Sequence, residues 1–190
     1  MPRNFCCDIL PEVKERWSMR ALSPEPLPNY DITAICEAAR YAPSCFNEQP
    51  WRFMVATAVS DLEQFRGFLT PKNNRWAGVA PTLLLILAKR TFAHNGKPNR
   101  WAPFDTGTAW GYLTLEAWRR GIVAHGMGGF DAEKVRNELK IPDDIEIIAM
   151  AALGYPGDAA QLADEFRDGE KPGERRPQAD TMLKPDHFMR

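Results

Sequence analysis

The spacing of apolar residues predicts two helices in the body of the chain. Between residues 31 and 41, apolar side chains recur every three or four positions, and Pro43 follows, whose ring cannot continue a helix. The same spacing predicts a long helix over residues 106–120, and Gly121 is placed to terminate it. Both segments are therefore expected to bury one face against a core.

Polar residues mark the starts of two further helices. Ser60 and Glu63 have the spacing of a capping box, which predicts a helix that extends to Leu69. Asp131 is a typical N-cap residue and predicts a helix that extends to about residue 140.

Short apolar and β-branched segments between these helices predict strands. The four predicted strands are residues 52–58, 83–88, 122–125 and 146–153. Strands that alternate with helices indicate a sheet covered by helices, but the connections do not reveal whether the strands run parallel. The predicted fold class is α+β.

Length and composition fit one domain over residues 1–190. The chain has 44% hydrophobic and 26% charged residues, enough for a full core. The arm, residues 155–190, differs: 14 of its 36 residues are charged and four are proline. It has too little apolar surface for a core of its own, so it is either disordered or docked on something.

Charge and hydropathy exclude several classes of protein. The 24 Lys and Arg residues against 25 Asp and Glu residues leave a net charge of −1, so no overall basic field exists to bind nucleic acid. The longest apolar stretch, residues 79–88, is about half the length that a bilayer crossing requires. The first residues lack the features of a secretory signal, so a cytoplasmic location is expected.

Cysteine and histidine positions predict no metal site. No C-x-x-C pair and no H-E-x-x-H motif occurs among Cys6, Cys7, Cys36, Cys45, His94, His125 and His187. No nucleophile and base set for covalent catalysis is recognisable in the linear sequence, so no catalytic side chain is assigned.

Two arginines and a serine alternate near the start of the chain. If residues 16–20 are extended, Arg16, Ser18 and Arg20 project to one side. Guanidinium groups bind phosphate oxygens in pairs and keep their charge at any physiological pH. The segment therefore indicates an anion site, and a solvated pair of surface arginines is the alternative.

A proline-bracketed loop over residues 42–51 leads directly into the first predicted strand. Asn47 and Gln49 each offer a donor and an acceptor, which suits a heterocycle edge with alternating C=O and N–H groups. A well-capped structural turn is the alternative. Residues 126–129 form a Gly-rich loop without a dinucleotide fingerprint, because Asp131 stands where the third glycine would be.

Taken in order, these segments resemble the FMN-dependent nitroreductase family over nearly the whole chain. The matching motifs are Arg-x-Ser-x-Arg at 16–20, Ala-Pro-Ser-x-x-Asn-x-Gln-Pro-Trp at 42–51, Asn-x-x-Trp at 73–76, Asp-Thr-Gly at 105–107, Gly-Gly-Phe-Asp at 128–131, Ile-Pro at 141–142, Gly-Tyr-Pro at 154–156 and Arg-Arg-Pro at 175–177.

The resemblance implies which residues bind FMN. The first segment would hold the phosphate and ribityl chain, and a late arginine pair would also lie at the phosphate; these residues are Arg16, Ser18, Arg20, Arg175 and Arg176. The proline-bracketed loop would contact the flavin from the partner subunit through Pro43, Ser44, Cys45, Asn47 and Gln49. Asn73 would reach the pyrimidine ring, and an amide of the loop at Gly128 and Gly129 would point at flavin N5.

The sequence departs from the family pattern in three places. Cys45 stands where Ser or Ala is usual, and Gly173 where some members have a phosphate-binding lysine. Arg175 and Arg176 are therefore expected to supply that charge alone. Residues 91–104 correspond to a substrate-pocket loop that varies too much among members to identify a substrate.

The implied fold is a three-layer α+β sandwich with a mostly antiparallel sheet, assembled as an intertwined homodimer. The arm would wrap the partner and bury Leu162, Phe166, Met182, Leu183 and Phe188 there. The implied activity is reduction of a nitro compound, quinone or activated alkene, with NAD(P)H reducing the FMN first. A dimer that stores or senses FMN without turnover, or one with a purely structural role, remains an alternative.

Overall fold

Four strands form one antiparallel sheet in the computed structural model, which describes Arg3 and residues 5–185. The strands are β1 (Trp51–Ala56), β2 (Thr82–Lys89), β3 (Val123–Met127) and β4 (Ile145–Gly154). Their order across the sheet is β1-β2-β4-β3, and every neighbouring pair is antiparallel. His187 and Phe188 lie outside the described residues.

Strand β2 lies inside the sheet and is buried on both faces. Leu83, Leu85 and Leu87 belong to one apolar cluster, whereas Leu84 and Ile86 belong to the other. Successive strand side chains point to opposite faces, so an unbroken apolar run is what a strand with helices on both sides requires.

Helices cover the two faces of the sheet, so the predicted three-layer α+β architecture is confirmed. The described helices are α1 (Pro11–Glu15), α2 (Asn29–Arg40), α3 (Val59–Arg66), α4 (Pro71–Ala77), α5 (Ala102–Arg119), α6 (Ala132–Glu138) and α7 (Asp164–Arg167). Helices α2 and α5 pack on one face, and α3, α4, α6 and α7 bury side chains on the other. No helix within the described ranges has the length and hydropathy to cross a membrane.

Two helix ends follow their predicted signals. Gly121 adopts φ +71° and donates its N–H to the carbonyl of Trp118 at 2.9 Å, which ends α5 in the left-handed conformation that glycine favours. Asp131 accepts a hydrogen bond from the N–H of Lys134 at 2.9 Å and so caps α6.

Other helix starts differ from the sequence prediction. The capping box is wrong, because α3 begins at Val59 and the Ser60 hydroxyl lies within the first turn, 3.3 Å from Asp61 Oδ1. Helix α5 begins four residues before the predicted start, with a proline in its first turn, where a missing donor costs little. Helix α4 was not predicted, although Thr70 caps it and Pro71 opens it.

The arm divides into two parts. Leu162 and Phe166 are buried in the core of their own chain, so the expectation that these two need a partner is wrong. Met182 and Leu183 are exposed. The first part of the arm is therefore a component of this chain's own fold, and it carries residues 169–175 back to the N-terminal segment.

Candidate functional site

Residues 16–20 follow α1, and Arg16 at their start is extended, with φ −61° and ψ 139°. Just beyond them, Ser23 donates its N–H to the Tyr155 carbonyl, and Gly157 donates to the Ala21 carbonyl at 2.8 Å. A Cβ on Gly157 would lie 2.6 Å from the Leu22 carbonyl carbon, so this close approach requires glycine. The chain after β4 thus fixes the position of the segment.

Five cationic side chains line one cleft of about 220 Å³, called here the cation cleft. Its lining residues are Arg3, Arg16, Trp17, Ser18, Arg20, Gly169, Lys171, Gly173 and Arg175. Arg16, Ser18 and Arg20 thus line one cleft together with Trp17, and Arg16 donates to Ser18 Oγ at 3.4 Å. Three chain segments, one near residue 3, one at 16–20 and one in the arm, contribute the charge.

The positive charges of the cation cleft lower one another's pKa, in addition to an effect of burial. Burial lowers the pKa of Arg16, and Arg175 and Arg3 lower it further. Burial also lowers the pKa of Arg3, with a further contribution from Arg175. Arg3 is held in place by hydrogen bonds to the carbonyls of Lys14 and Arg16, both at 2.9 Å. Such a cluster gains free energy when an anion binds, because each guanidinium acquires a counter-charge.

The cation cleft lacks the carboxylate partners that other arginines in this chain have. Arg75, Arg119 and Arg120 each pair with a glutamate or aspartate. Among the described residues, no ion pair involves a cation of the cleft. The donor set is therefore available for an external anion.

A second cleft of about 370 Å³, called here the ring cleft, shares Arg20 with the cation cleft. Its other walls are Thr70, residues 72, 73 and 76 of α4, and residues 125–129 at the end of β3. The guanidinium carbon of Arg20 lies 5.9 Å from the ring centroids of both Trp76 and Phe166. A ligand with an anionic end and a flat ring can extend across Arg20 into both clefts.

The carbonyl of Gly129 anchors the Gly-rich loop to α4. It accepts hydrogen bonds from Thr70 N, Thr70 Oγ1 and Asn73 Nδ2, at 3.1, 3.1 and 2.9 Å. A Cβ on Gly129 would lie 2.6 Å from Asn73 Nδ2, whereas one on Gly128 would meet no atom within 4 Å. Gly129 therefore serves the packing of the loop, and Gly128 leaves its backbone uncovered at the cleft.

Asn73 lines the ring cleft, but half of its hydrogen-bonding capacity is used within the chain. Its Nδ2 donates to Gly129, and its Oδ1 accepts from Trp76 Nε1 at 3.3 Å. A primary amide has two donors and two lone pairs, so one of each is left for a ligand.

His125 is a ring-cleft residue that the sequence analysis did not assign. Its Nδ1 lies 2.8 Å from the carbonyl of Met19, and its ring lies 4.4 Å from the Trp76 ring at 37°. Burial lowers its pKa, as do Arg20 and Arg16, against the raising effects of the Met19 hydrogen bond and Glu170. The imidazole is thus held neutral beside the cations.

The loop over residues 43–49 lines neither cleft of its own chain. Ser44 Oγ accepts from Gln49 N, and Gln49 Nε2 donates to the Asn47 carbonyl. Asp105 accepts from the Cys45 N–H at 3.0 Å. Phe46, Asn47 and Gln49 all have φ between 52° and 56°, so the chain holds a tight, internally bonded turn here.

The two arginines of the arm, Arg175 and Arg176, occupy different positions relative to the cation cleft. Arg175 lines the cation cleft, and Arg176 is not among the residues that line it. Lys171 and Arg3, which the sequence did not mark, line the same cleft as Arg175. No local signal marked these two residues, because their positions depend on how both ends of the chain return to residues 16–20. Within the described residues, no group of three His, Cys, Asp or Glu side chains could hold a metal.

Comparison with known proteins matches this chain to one family. The sequence profile of the nitroreductase family matches residues 13–155. The match ends where the arm begins. A solved structure described as an oxidoreductase containing FMN superimposes with a TM-score of 0.92 at 35% identity, covering 96% of this chain and 94% of that one.

Two curated proteins are also similar. A protein named NADH dehydrogenase from Thermus thermophilus is 29% identical over 175 residues, covering 76% of this chain and 84% of its own length. An uncharacterized 15.4 kDa protein of Mycolicibacterium smegmatis is 38% identical over 97 residues. That match covers 51% of this chain and 63% of the relative.

Proposed function

Because this chain belongs to the nitroreductase family, we propose that its two clefts form the binding site of a reductase that acts on small organic acceptors. The protein is an oxidoreductase with FMN as its cofactor and NAD(P)H as its reductant. The observation that carries the proposal is the sharing of Arg20 between a cleft lined by five cations and a cleft walled by aromatic and glycine residues.

The residues present fit FMN. A phosphate monoester carries nearly two negative charges and three acceptor oxygens, which match the cation cleft. A flat heterocycle with C=O and N–H groups suits a cleft that offers an open glycine backbone and a half-used amide. The phosphate site and the ring site are adjacent, because Arg20 lines both clefts.

We assign the phosphate to Arg16, Ser18, Arg20 and Arg175, with Arg3 and Lys171 as additional donors. Guanidinium groups hold the phosphate oxygens in fixed directions, and the Ser18 hydroxyl donates alongside them. Arg176 is left outside this assignment, because it does not line the cleft.

We assign the ring to Asn73, Gly128 and Gly129. The remaining N–H and lone pair of Asn73 would bond the ring edge, and the loop backbone would approach the ring face or edge without an intervening Cβ. The three hydrogen bonds to the Gly129 carbonyl fix the loop, so its amides are oriented before a ligand arrives.

The proposed assembly is a homodimer of single-domain chains, each of residues 1–190. Pro43, Ser44, Cys45, Asn47 and Gln49 would complete the ring cleft of the partner, which accords with their distance from the clefts of their own chain. Exposed aromatic side chains at Phe46 (83% exposed) and Phe104 (71% exposed) favour burial by a second copy. The exposed part of the arm would dock on that copy.

The proposed reaction is ping-pong reduction of a nitroaromatic, quinone or activated alkene in the cytoplasm. When bound, FMN would supply the two-electron chemistry, with NAD(P)H as the hydride donor, the second substrate as the acceptor and water as the source of the product's proton. The chain binds and orients the cofactor and leaves one cleft open to both substrates in turn. No protein nucleophile is required.

The test is anaerobic stopped-flow spectroscopy of the purified protein. We expect the flavin absorbance to bleach on mixing with NADH or NADPH, and to return on mixing with a nitroaromatic or a quinone. Light scattering should give about twice the 21.5 kDa chain mass. Bound flavin that neither nicotinamide reduces would favour the storage alternative, and protein that binds no FMN would refute the assignment of both clefts.

A further inference from the structure

The hydrogen bond between His125 and Met19 fixes the tautomer of a neutral imidazole. A carbonyl oxygen accepts and cannot donate, so the hydrogen lies on Nδ1. Nε2 then carries a lone pair and is an acceptor. The contact with the Trp76 ring and the half-buried position on β3 hold the plane of the imidazole.

His125 lines the ring cleft, and its hydrogen-bond partner Met19 immediately precedes Arg20, which lines both clefts. A ligand with its phosphate in the cation cleft and its ring in the ring cleft would bring its connecting part past Arg20, into the cleft that His125 lines. In FMN this part is the ribityl chain, which carries hydroxyl groups.

Few of the described side chains that line this passage offer an acceptor. Arg20 and Lys72 only donate, and the Thr70 hydroxyl donates to the Gly129 carbonyl. The Oδ1 of Asn73 accepts from Trp76 Nε1, and its second lone pair is the one assigned to the ring edge. Glu170 Oε2 is buried without a partner, but Glu170 does not line the ring cleft. A ligand hydroxyl that leaves water must donate its hydrogen to an acceptor, or its desolvation is uncompensated.

We propose that His125 is a positioning residue whose Nε2 accepts a hydrogen bond from a ribityl hydroxyl of the cofactor, an inference that rests on the FMN binding proposed above. Nδ1 would meanwhile hold the segment that carries Arg20. One imidazole thus couples the placement of the phosphate donors to the placement of the connecting chain.

A merely structural role predicts a different result. If His125 only supports Met19 and Trp76, its replacement weakens every flavin phosphate equally. If Nε2 accepts from a hydroxyl, its replacement weakens only ligands that carry the hydroxyl. The ratio of two dissociation constants, measured on the same variant, separates these roles because effects common to both ligands cancel.

The experiment titrates flavin-free protein with FMN and with a flavin whose ribityl chain is replaced by an unhydroxylated pentyl phosphate. Flavin fluorescence gives both dissociation constants for wild type, His125→Asn and His125→Gln. Asparagine retains a donor near the Nδ1 position and lacks an atom at Nε2, whereas glutamine places an amide near Nε2. Thermal unfolding of each flavin-free variant checks the fold.

We expect His125→Asn to lower the preference for FMN over the pentyl analogue about fivefold, the effect of one neutral hydrogen bond, and His125→Gln to restore part of it. An unchanged preference in both variants would overturn the inference and leave FMN binding intact. Wild-type protein that binds neither flavin would instead overturn the proposed function, on which the inference rests.

Discussion

The carboxylate of Glu170 accepts hydrogen bonds from the backbone N–H groups of Arg20 and Ala21, at 2.8 and 2.9 Å, although 150 positions separate Glu170 from Arg20. The contact ties the arm to the segment that carries the first arginines. Lys171 and Arg175 follow Glu170 closely, so the same bond brings their charges to the cation cleft.

Replacing Glu170 with alanine should loosen this part of the arm. Two hydrogen bonds to an ionised acceptor disappear, and two backbone donors lose their partner. We expect trypsin to cleave after Arg175 at least about fivefold faster than in wild type, whereas Pro172 protects the bond after Lys171 in both proteins. Glu170→Gln keeps an acceptor oxygen and serves as the matched control. Equal cleavage rates in wild type and Glu170→Ala would contradict the role of this contact.

Neighbouring arginines in the arm should differ in cofactor binding. Arg175→Gln removes a charged donor from the cation cleft, and a hydrogen bond to a charged group contributes roughly 1.5 to 3 kcal/mol, so the FMN dissociation constant should rise about tenfold or more. Arg176→Gln should change it less than about twofold. Fluorescence titration measures both.

Riboflavin, which lacks the phosphate, provides the ligand control for this pair. Its dissociation constant should be the same in both variants. A loss of FMN affinity in Arg176→Gln that equals the loss in Arg175→Gln would show that the cation cleft is not the phosphate site.

Cys45 should take no part in the chemistry. Its neighbouring cations are engaged elsewhere: Arg40 pairs with Glu37, and Arg52 donates to backbone carbonyls. Cys45→Ser should keep FMN and reduce a nitroaromatic within about threefold of wild type, under roughly 0.7 kcal/mol in barrier. A hundredfold slower flavin half-reaction in stopped flow, at unchanged occupancy, would assign the thiol a chemical role.

The two glycines of the ring cleft should respond differently to alanine. The added Cβ of Gly129→Ala would collide with the bonded Asn73 amide, so we expect a loss of about 1 to 3 kcal/mol in unfolding free energy. Gly128→Ala meets no protein atom and should stay within about 0.5 kcal/mol of wild type. Urea denaturation of the flavin-free variants measures both, and a reversed order would refute the packing role of Gly129.

His125 should make the stability of the flavin-free protein depend on pH. The folded state lowers the pKa of this group, so the unfolded chain, with an ordinary value of about 6.5, takes up the proton first as the pH falls. Its contribution is therefore fully present above about pH 6.5 and is lost as the pH falls through the lower, folded-state pKa.

The measurement is urea denaturation between about pH 7.5 and pH 5. His125→Phe should show a flatter decline in unfolding free energy over this range than wild type. His94, whose side chain is 56% exposed, supplies the control variant His94→Phe. A decline in His125→Phe as steep as that of wild type would contradict the lowered pKa.

The sequence by itself determined features that depend on near neighbours in the chain. Gly121 and Asp131 end and begin their helices as predicted, because a cap involves groups within one turn. The short spacing of Arg16, Ser18 and Arg20 keeps them close enough to line one cleft, which Trp17 lines as well. The prediction of FMN also depended on near neighbours in the chain, because most of the family motifs are short and continuous.

Only the tertiary structure decided which distant groups meet. The periodicity of a strand is the same in parallel and antiparallel sheets, so the order β1-β2-β4-β3 had no signal in the pattern. Lys171 joins the cation cleft because the Glu170 carboxylate binds the backbone of Arg20 from 150 positions away, and Arg3 joins it because its side chain binds the carbonyls of Lys14 and Arg16. The neutral state of His125 likewise depends on burial and on the Met19 carbonyl, which folding brings to it from 106 positions away.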